Sequence, residues 1–474
     1  MNSAIESRAR PQPADVTALA AQLRSDYGDR ALTTHAIREQ HSHGEGLADA
    51  ALPDIVVFPH TNDEVASIVR ICHAGHMPVI AFGVGTSLEG HVAALYGGVC
   101  IDLSQMNRVL EVNDADLDCR VQAGVTREQL NAELKGTGLF FPIDPGANAT
   151  LGGMASTRAS GTNAVRYGTM RDNVLGLTVV TADGRIVHTG SRARKSSAGY
   201  DLTRLFVGSE GTLGIITEVQ LRLYGIPESI SAAVCQFPDL KSAVDSVIVA
   251  MQLGIPVARI ELLDDVQMDA CIRYSQLTEF AAKPTLFFEF HGTDAGVREQ
   301  AEMIEAIATD HGGNQFRWAT KPEERSRLWK ARHNAYYAAL ALAPGKQGFA
   351  TDACVPISRL TDCVLETQAD VAATGLLAPI VGHVGDGNFH LVILFDPADA
   401  DERGSAEALA ARVSMRAIGM GGTCTGEHGI GVHKLAALEA EHGDAIWLMQ
   451  AIKRALDPRN ILNPGKTVPP DARP

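Results

Sequence analysis

Residues 142–176, "PIDPGANATLGGMASTRASGTNAVRYGTMRDNVLG", limit what this chain can fold into more than any other stretch. They follow neither the helical nor the strand period, and their small side chains offer little apolar surface for a core. A segment this long without regular structure inside a compact domain is functional or disordered. Its glycines allow close backbone approach, and such a chain packs poorly unless something large and planar lies along it. Two further Gly/Ser/Thr-rich loops repeat the theme, "GVGTSLEG" at 83–90 and "VGSEGTLGIIT" at 207–217. Three such loops together point to an extended dinucleotide. Taken alone, the 83–90 loop reads equally as a plain tight turn or as a nest of N–H groups for a pyrophosphate, with Thr86 and Ser87 adding hydroxyls. Leu88 stands where a third Rossmann glycine would be, and no Gly-Lys-Ser/Thr follows, so neither standard phosphate fingerprint is present.

The chain has 474 residues, enough for two or three domains. A net charge of -15 disfavours nucleic acid and anionic membrane surfaces as general partners, while leaving room for a local positive pocket. Eight scattered cysteines without a C-x-x-C pair argue against iron–sulfur clusters, zinc ribbons and a disulfide framework. The N-terminus shows no secretory signal or organellar presequence, and no apolar run reaches the length of a transmembrane segment. A cytoplasmic protein is the simplest expectation, with peripheral membrane contact open.

Periodicity organises the rest. One helix is expected over roughly 15–27. "PDIVVFP" and "MPVIAFG" read as buried strands around a helix opened by the Thr61–Glu64 capping box and ended at Gly75. A second capped helix starts at Thr126 with Gln129 three residues on. From about 230 the texture changes to longer amphipathic helices between strands of an antiparallel sheet. Within "VGHVGDGNFHLVILF", Asp386-Gly387 is a two-residue hairpin signal that would set His383 directly opposite His390. Opposed residues lie about 4.5–5.5 Å apart at Cβ. The pair is either a metal-binding couple or two surface histidines on an ordinary hairpin.

The glycine loops, with "PDIVVFPHTNDEV" and "FVGSEGTLGIIT", resemble the FAD-binding domain of vanillyl-alcohol-oxidase (PCMH) type. "RIELLDDVQMDACIRYS", "RLWKARHNAYYA", "GHVGDGNFH", "TGEHGIG" and "NPGK" are similar to the cytochrome-linked D-lactate dehydrogenase family, whose relatives include D-2-hydroxyglutarate dehydrogenases and the glycolate oxidase flavin subunit. The resemblance runs from about residue 50 to the C-terminus. It implies an α+β chain: a leader (1–50), an FAD-binding domain (51–228), a substrate or cap domain (229–425) and a C-terminal segment (426–474) returning to the flavin. It further implies that Gly83, Gly85, Thr86, Ser87 and Leu88 hold the pyrophosphate. Pro145, Gly146, Gly152, Gly153, Ser156, Ser160 and Gly161 would line the dinucleotide beside Val165 and Tyr167. Glu210, Gly211 and Ile216 would take the adenosine side, and Asn463 would close over the flavin. "GVGTS" holds no histidine before His91, so the FAD is expected to be noncovalent.

Oxidising a 2-hydroxy acid needs a carboxylate anchor, a handle on the hydroxyl, a base and an electron acceptor. Two histidines and a carboxylate, His383, His390 and Glu427, suit a catalytic metal with open positions, zinc or manganese as in relatives. Glu427 could equally be a solvated loop carboxylate. His428 is the candidate base, or else a structural histidine, the role expected for His433. Arg332 is the candidate carboxylate grip, or else an ordinary ion-pair partner, with Arg325 and Arg327 as decoys nearby. Asn388 would orient the metal site. The expected enzyme oxidises D-lactate or a close D-2-hydroxy acid and passes electrons to a cytochrome or quinone-linked acceptor. D-2-hydroxyglutarate or glycolate are alternative substrates, and a flavin-independent metallohydrolase or a non-catalytic flavoprotein subunit are alternatives of another class. A homodimer is left open.

Overall fold

In the computed structural model, which describes residues 10–46, 50–319 and 321–470, the strand–helix–strand start of the sequence forms as its pattern requires. Residues 1–9, read above for a targeting signal, lie outside the described part. Ile55–Val57 and Val79–Phe82 are strands, and Asn62–Ala74 is the helix between them. Thr61 Oγ1 accepts from Glu64 N at 3.2 Å, satisfying one of the helix's orphan N–H groups. The Glu64 carboxylate departs from the reciprocal box: it accepts from His60 N at 2.7 Å and from Arg30 at 2.7 and 2.8 Å. Val65, Ile68, Val69 and Cys72 face inward at helical spacing, and burying each such aliphatic side chain is worth about 1.5–3 kcal/mol. Thr126 caps Arg127–Glu133 in the same way, through Gln129 N at 3.2 Å.

The described residues divide into two units. The first comprises the chain up to Ser160, Thr169–Gly225, and Glu427 onward; the second comprises Gly161–Gly168 and Ile226–Gly426. The first unit holds a four-stranded sheet, in which Val99–Asp102 lies parallel to both Ile55–Val57 and Val79–Phe82 and Ala31–Leu32 is the antiparallel edge. It also holds a five-stranded antiparallel sheet whose centre, Ile215–Arg222, pairs with Asp118–Gln122 and Val174–Val180. Each sheet has its own apolar core.

The aperiodic stretch 142–176 is not a loop throughout. Three short helices interrupt it, Leu151–Thr157, Ala164–Tyr167 and Met170–Asn173. The first is possible because its residues are small: a Cβ on Gly152 would stand 2.5 Å from Ala123 Cβ, so this helix packs at backbone distance. Thr169 and Asp172 form a full capping box for the third.

The second unit is built on an antiparallel sheet of eight strands, in the order Asn314–Ala319, Ser229–Gln236, Thr285–Gly292, Arg259–Leu263, Ile380–Gly382, Asn388–Phe395 and Gln347–Ala350, with Ala353–Cys354 also pairing with Asn388–Phe395. In the pairing of Arg259–Leu263 with Thr285–Gly292, Arg259 opposes Glu289, Glu261 opposes Phe287 and Leu263 opposes Thr285. Because side chains alternate across a strand, Ile260, Leu262, Phe288 and Phe290 share the opposite face. One face is therefore apolar, and the other mixes apolar residues with buried charge.

The hairpin carrying the histidines forms, in a different register from the expected one. Val381 opposes His390 and Ile380 opposes Leu391, which places His383 outside the ladder, at the entrance of a 3-10 turn over Val384–Asp386. Val384 is fully buried and Gly385 packs on Val165 and Ile260, so burial of the turn outweighs the two-residue Asp-Gly geometry. Gly387 closes the turn at φ +78, with Val355 O where a Cβ would go. The imidazoles therefore meet diagonally, with ring centroids 5.5 Å apart.

Bonding to Arg30 and to the His60 amide outweighs burial and holds the Glu64 carboxyl at about 2. A depressed folded-state pKa adds stability that is present above the ordinary carboxyl range and fades as pH falls toward 2. A Glu64→Gln variant should lose about 1–2 kcal/mol at neutral pH. In thermal melts its midpoint should lie below that of the unaltered chain at pH 6, with the gap closing as pH approaches 2; a pH-independent gap would contradict this assignment.

Candidate active site

An open-mouthed cavity runs through the first unit. The strand Val79–Phe82 delivers the chain into its wall, where Gly83, Gly85, Thr86, Ser87 and Leu88 all lie. Pro145, Gly152, Gly153, Ser156 and Ser160 line a second side. Glu210, Gly211, Ile216 and Asn463 line it as well, together with Glu427 and His428. Gly146 sits next to this wall without forming part of it. Gly161, Val165 and Tyr167 belong to the second unit, where Val165 packs on Gly385 and the Tyr167 hydroxyl bonds His291 Nδ1 at 2.7 Å.

The cavity's chemistry fits a dinucleotide. Gly83 tolerates no Cβ, since Thr150 Oγ1 fills that space, and a Cβ on Gly153 would stand 2.9 Å from the same oxygen. Gly85 turns at φ +73. A wall of glycines packed this closely would let phosphate oxygens approach backbone N–H groups. Among the described residues, Ser87 Oγ is buried with no hydrogen-bond partner, an orphan that a bound phosphate oxygen would satisfy.

Two buried carboxylates shape the segment that brings Glu427 and His428 to this cavity. Glu210 accepts from Ile430 N at 2.7 Å, Gly431 N at 2.8 Å and Thr467 Oγ1 at 2.6 Å. Its carboxylate oxygens therefore hold the C-terminal segment, and the residue itself sits in the left-handed region at φ +53. His91 Nε2 lies 3.4 Å away. Burial raises the Glu210 carboxyl, but His91, Thr467 and the Ile430 amide outweigh it, and the net shift is downward. Glu89 faces Lys434 at 2.8 Å, His433 at 3.3 Å and His428 Nδ1 at 3.8 Å. Burial is again opposed by the cations, chiefly Lys434, which hold Glu89 at about 2. Asn463, at φ +41, donates to Glu210 O at 2.7 Å and His91 O at 3.1 Å, and Lys466 Nζ clamps Asn463 Oδ1 at 2.6 Å.

The second unit gathers His383, His390, Arg332 and Asn388. Arg332, buried on the helix Pro322–His333, donates through Nε at 2.9 Å and Nη2 at 2.6 Å to Glu261 Oε2. Glu261 is fully buried and also bonds His383 Nδ1, at 2.8 and 2.9 Å. Burial would raise its carboxyl, yet His383 and Arg332 bring it below the ordinary range. His390 Nδ1 bonds Thr351 O at 2.8 Å. Asn388 Nδ2 donates to Asp352 Oδ1 at 3.0 Å, while Asn388 Oδ1 is buried without a partner among the described residues. Beside this group run Arg259–Glu289 at 3.2 Å and His291–Glu289 at 2.9 Å. Arg325 and Arg327 are engaged elsewhere, with Ile230 O and Glu279. Both imidazoles of the hairpin are anchored at Nδ1, which suits a metal site in which Nε2 is the ligand atom.

Glu261, Glu289, Glu89 and Asp352 were not singled out in the sequence. A lone carboxylate in a strand carries no local sign of whether its face is buried. The one usable signal was the "RIELL" alternation, which sets Arg259 and Glu261 on one face.

Comparison with known proteins agrees with this architecture. Residues 53–190 match the family described as FAD binding domain, and residues 226–467 match FAD linked oxidases, C-terminal domain. The chain is 54% identical to "Probable D-lactate dehydrogenase, mitochondrial" of Danio rerio, across 96% of this chain and 92% of the relative. It is 47% identical to "D-lactate dehydrogenase [cytochrome], mitochondrial" of Arabidopsis thaliana, across 95% and 80%. It is 36% identical to "Glycolate oxidase subunit GlcD" of Bacillus subtilis, across 89% and 90%. Among solved structures, 4-ethylphenol oxidase from Gulosibacter chungangensis shares the fold at TM-score 0.81 and 18% identity, covering 98% of this chain and 99% of that one. p-Cresol methylhydroxylase does so at TM-score 0.81 and 19%, covering 97% and 98%. No helix among the described residues is long and apolar enough to cross a membrane. The chain has the α+β, PCMH-type fold, belongs to the FAD-linked oxidases of the D-lactate dehydrogenase group, and is an FAD-dependent oxidoreductase.

Proposed function

We propose that this enzyme oxidises D-lactate, or a close D-2-hydroxy acid, to the 2-oxo acid, using noncovalent FAD and a divalent cation, zinc or manganese. The observation that carries the reading is the meeting of Arg332 and His383 on one buried carboxylate. It sets an anion-gripping guanidinium beside a metal-type imidazole. Two of the guanidinium's five N–H donors go to Glu261, which leaves others to grip a substrate carboxylate. His383 and His390 would hold the cation with Glu427, which directly follows Gly426, a residue packed against Asn388. A cation held there would supply positive charge next to the substrate hydroxyl and lower its pKa. His428 would accept the hydroxyl proton. With carboxylates of Glu89 and Glu427 each 3.8 Å from a ring nitrogen, an imidazolium formed there has counter-charges in place. Asn388, through its orphan Oδ1, would accept a hydrogen bond from substrate or its water. FAD supplies the two-electron acceptor.

Charge balance favours a short monocarboxylate over D-2-hydroxyglutarate. Beside Arg332, the neighbouring guanidinium of Arg259 is already engaged by Glu289 at 3.2 Å. A second substrate carboxylate would need a further cation. Glycolate is the second reading, favoured by the GlcD relative. A flavin-independent hydrolase has no place in a chain with both FAD-linked domains. Electrons would leave to a cytochrome or quinone-linked acceptor; the Arabidopsis relative is named for a cytochrome. We retain the cytoplasm as the proposed location, with a homodimer as the proposed assembly; the Danio and Arabidopsis relatives are named mitochondrial.

Steady-state turnover with a dye acceptor across D- and L-2-hydroxy acids tests the reading. D-lactate should be preferred, L-lactate inert, and chelation should abolish turnover until zinc or manganese is restored. Chelator-insensitive oxidation would remove the metal from the account, and a preference for D-2-hydroxyglutarate would overturn the charge argument. His428→Asn should lower kcat by about 10²–10⁴-fold with flavin content unchanged; retention of kcat would assign the base elsewhere. Acid precipitation should leave the yellow colour in the supernatant. The His91 imidazole lies against Glu210, and a yellow pellet would show a covalent link.

A further inference from the structure

Glu261 has no exposed side-chain area and lies in the middle of the strand Arg259–Leu263. It belongs to none of the three groups of residues to which a chemical step is assigned above: metal ligands, base or carboxylate grip. Yet it touches two of those groups at once. Its Oε2 receives the Arg332 fork, and both its oxygens lie within 2.9 Å of His383 Nδ1.

A neutral imidazole carries one N–H, and an acceptor at Nδ1 fixes the proton there and the lone pair on Nε2. His390 is set in the same tautomer independently, through Thr351 O at 2.8 Å. The two histidines thus present the same nitrogen, but through different devices. His390 leans on a neutral carbonyl, while His383 leans on a charged group that also orients a guanidinium. Arg332 in turn cannot rotate its plane without breaking a two-point contact inside a buried environment, where an unpaired charge is costly.

We propose that Glu261 is a positioning residue that couples the two halves of substrate recognition: it aims His383 Nε2 at the cation and fixes the Arg332 plane toward the substrate carboxylate. The inference rests on the metal and carboxylate roles proposed for those two residues. Loss of its charge should weaken both functions together, while a residue that merely filled space would affect stability alone.

The test is Glu261→Gln, which keeps volume and shape but removes the charge and leaves a single accepting oxygen for the two partners. Zinc affinity is read by competition with a chromophoric chelator, and KM for D-lactate is read at saturating zinc. Flavin content and far-UV circular dichroism serve as the control for folding. Zinc affinity should fall by about 10–100-fold, the range seen when such outer acceptors are removed, and KM should rise even with the metal site filled. Glu261→Asp, which keeps the charge one methylene short, should fall between the two, and it takes over the test where the glutamine variant does not fold. Wild-type zinc affinity and KM in a folded variant overturn the inference. A rise in KM with unchanged zinc affinity, or the reverse, overturns the coupling. If the unaltered enzyme takes up no metal at all, the failure belongs to the proposed function and not to Glu261.

Discussion

A carboxylate withdrawn from water must find cations or N–H donors close by, or it gives up its charge. Glu261, with the Arg332 guanidinium on one side and the His383 imidazole on the other, meets that requirement. In doing so it fixes the geometry of Arg332 and His383. The strand Arg259–Leu263 tolerates the charge because the helix Pro322–His333 and the 383–387 turn each supply one partner. The same logic links Arg259, on the same strand, to Glu289 and His291 on the neighbouring one and on to Tyr167. Charge is concentrated on one half of a sheet face whose other half, with Leu263, Phe287, Val381 and Val392, belongs to an ordinary apolar core.

The first unit relies on the same device for a different end. Glu89 and Glu210 clasp residues 428–434 from two sides, through the side chains of His428, His433 and Lys434 in one case and the backbone amides of Ile430 and Gly431 in the other. Glu427 and His428 reach the glycine-lined cavity because of that clasp. Left-handed backbone at Glu210 and Asn463, each costing of order 1–3 kcal/mol, persists because these bonds over-determine it. Strain of this kind, next to a cofactor cavity, accords with a site held ready before substrate arrives.

The sequence was informative where chemistry repeats locally. Glycine and hydroxyl residues in "GVGTS" and "ATLGGMAST" announce a backbone cradle, and both stretches line the cavity. Thr61 and Thr126 announce helix starts that form as read. What failed depended on distant partners. Asp386-Gly387 specifies a tight turn, but nothing in the hairpin itself reveals that Val165 and Ile260 will bury Gly385 and move the register. The small residues of 142–176 read as a long functional or disordered loop, because the surface they pack on, such as Ala123, is not visible within that stretch. Glu261 was invisible for the same reason: Arg332 is 71 residues away and His383 is 122.

The account stands on a flavin that takes electrons directly from a D-configured 2-hydroxy acid bound among Arg332, His383 and His390. Its most direct test is a single anaerobic mixing of the yellow, zinc-loaded enzyme with D-lactate, followed by absorbance in the blue. The account predicts bleaching of the bound flavin within one turnover, lost on addition of chelator and absent with L-lactate. A flavin that stays oxidised with D-lactate, or bleaches equally with the L-isomer, would contradict it.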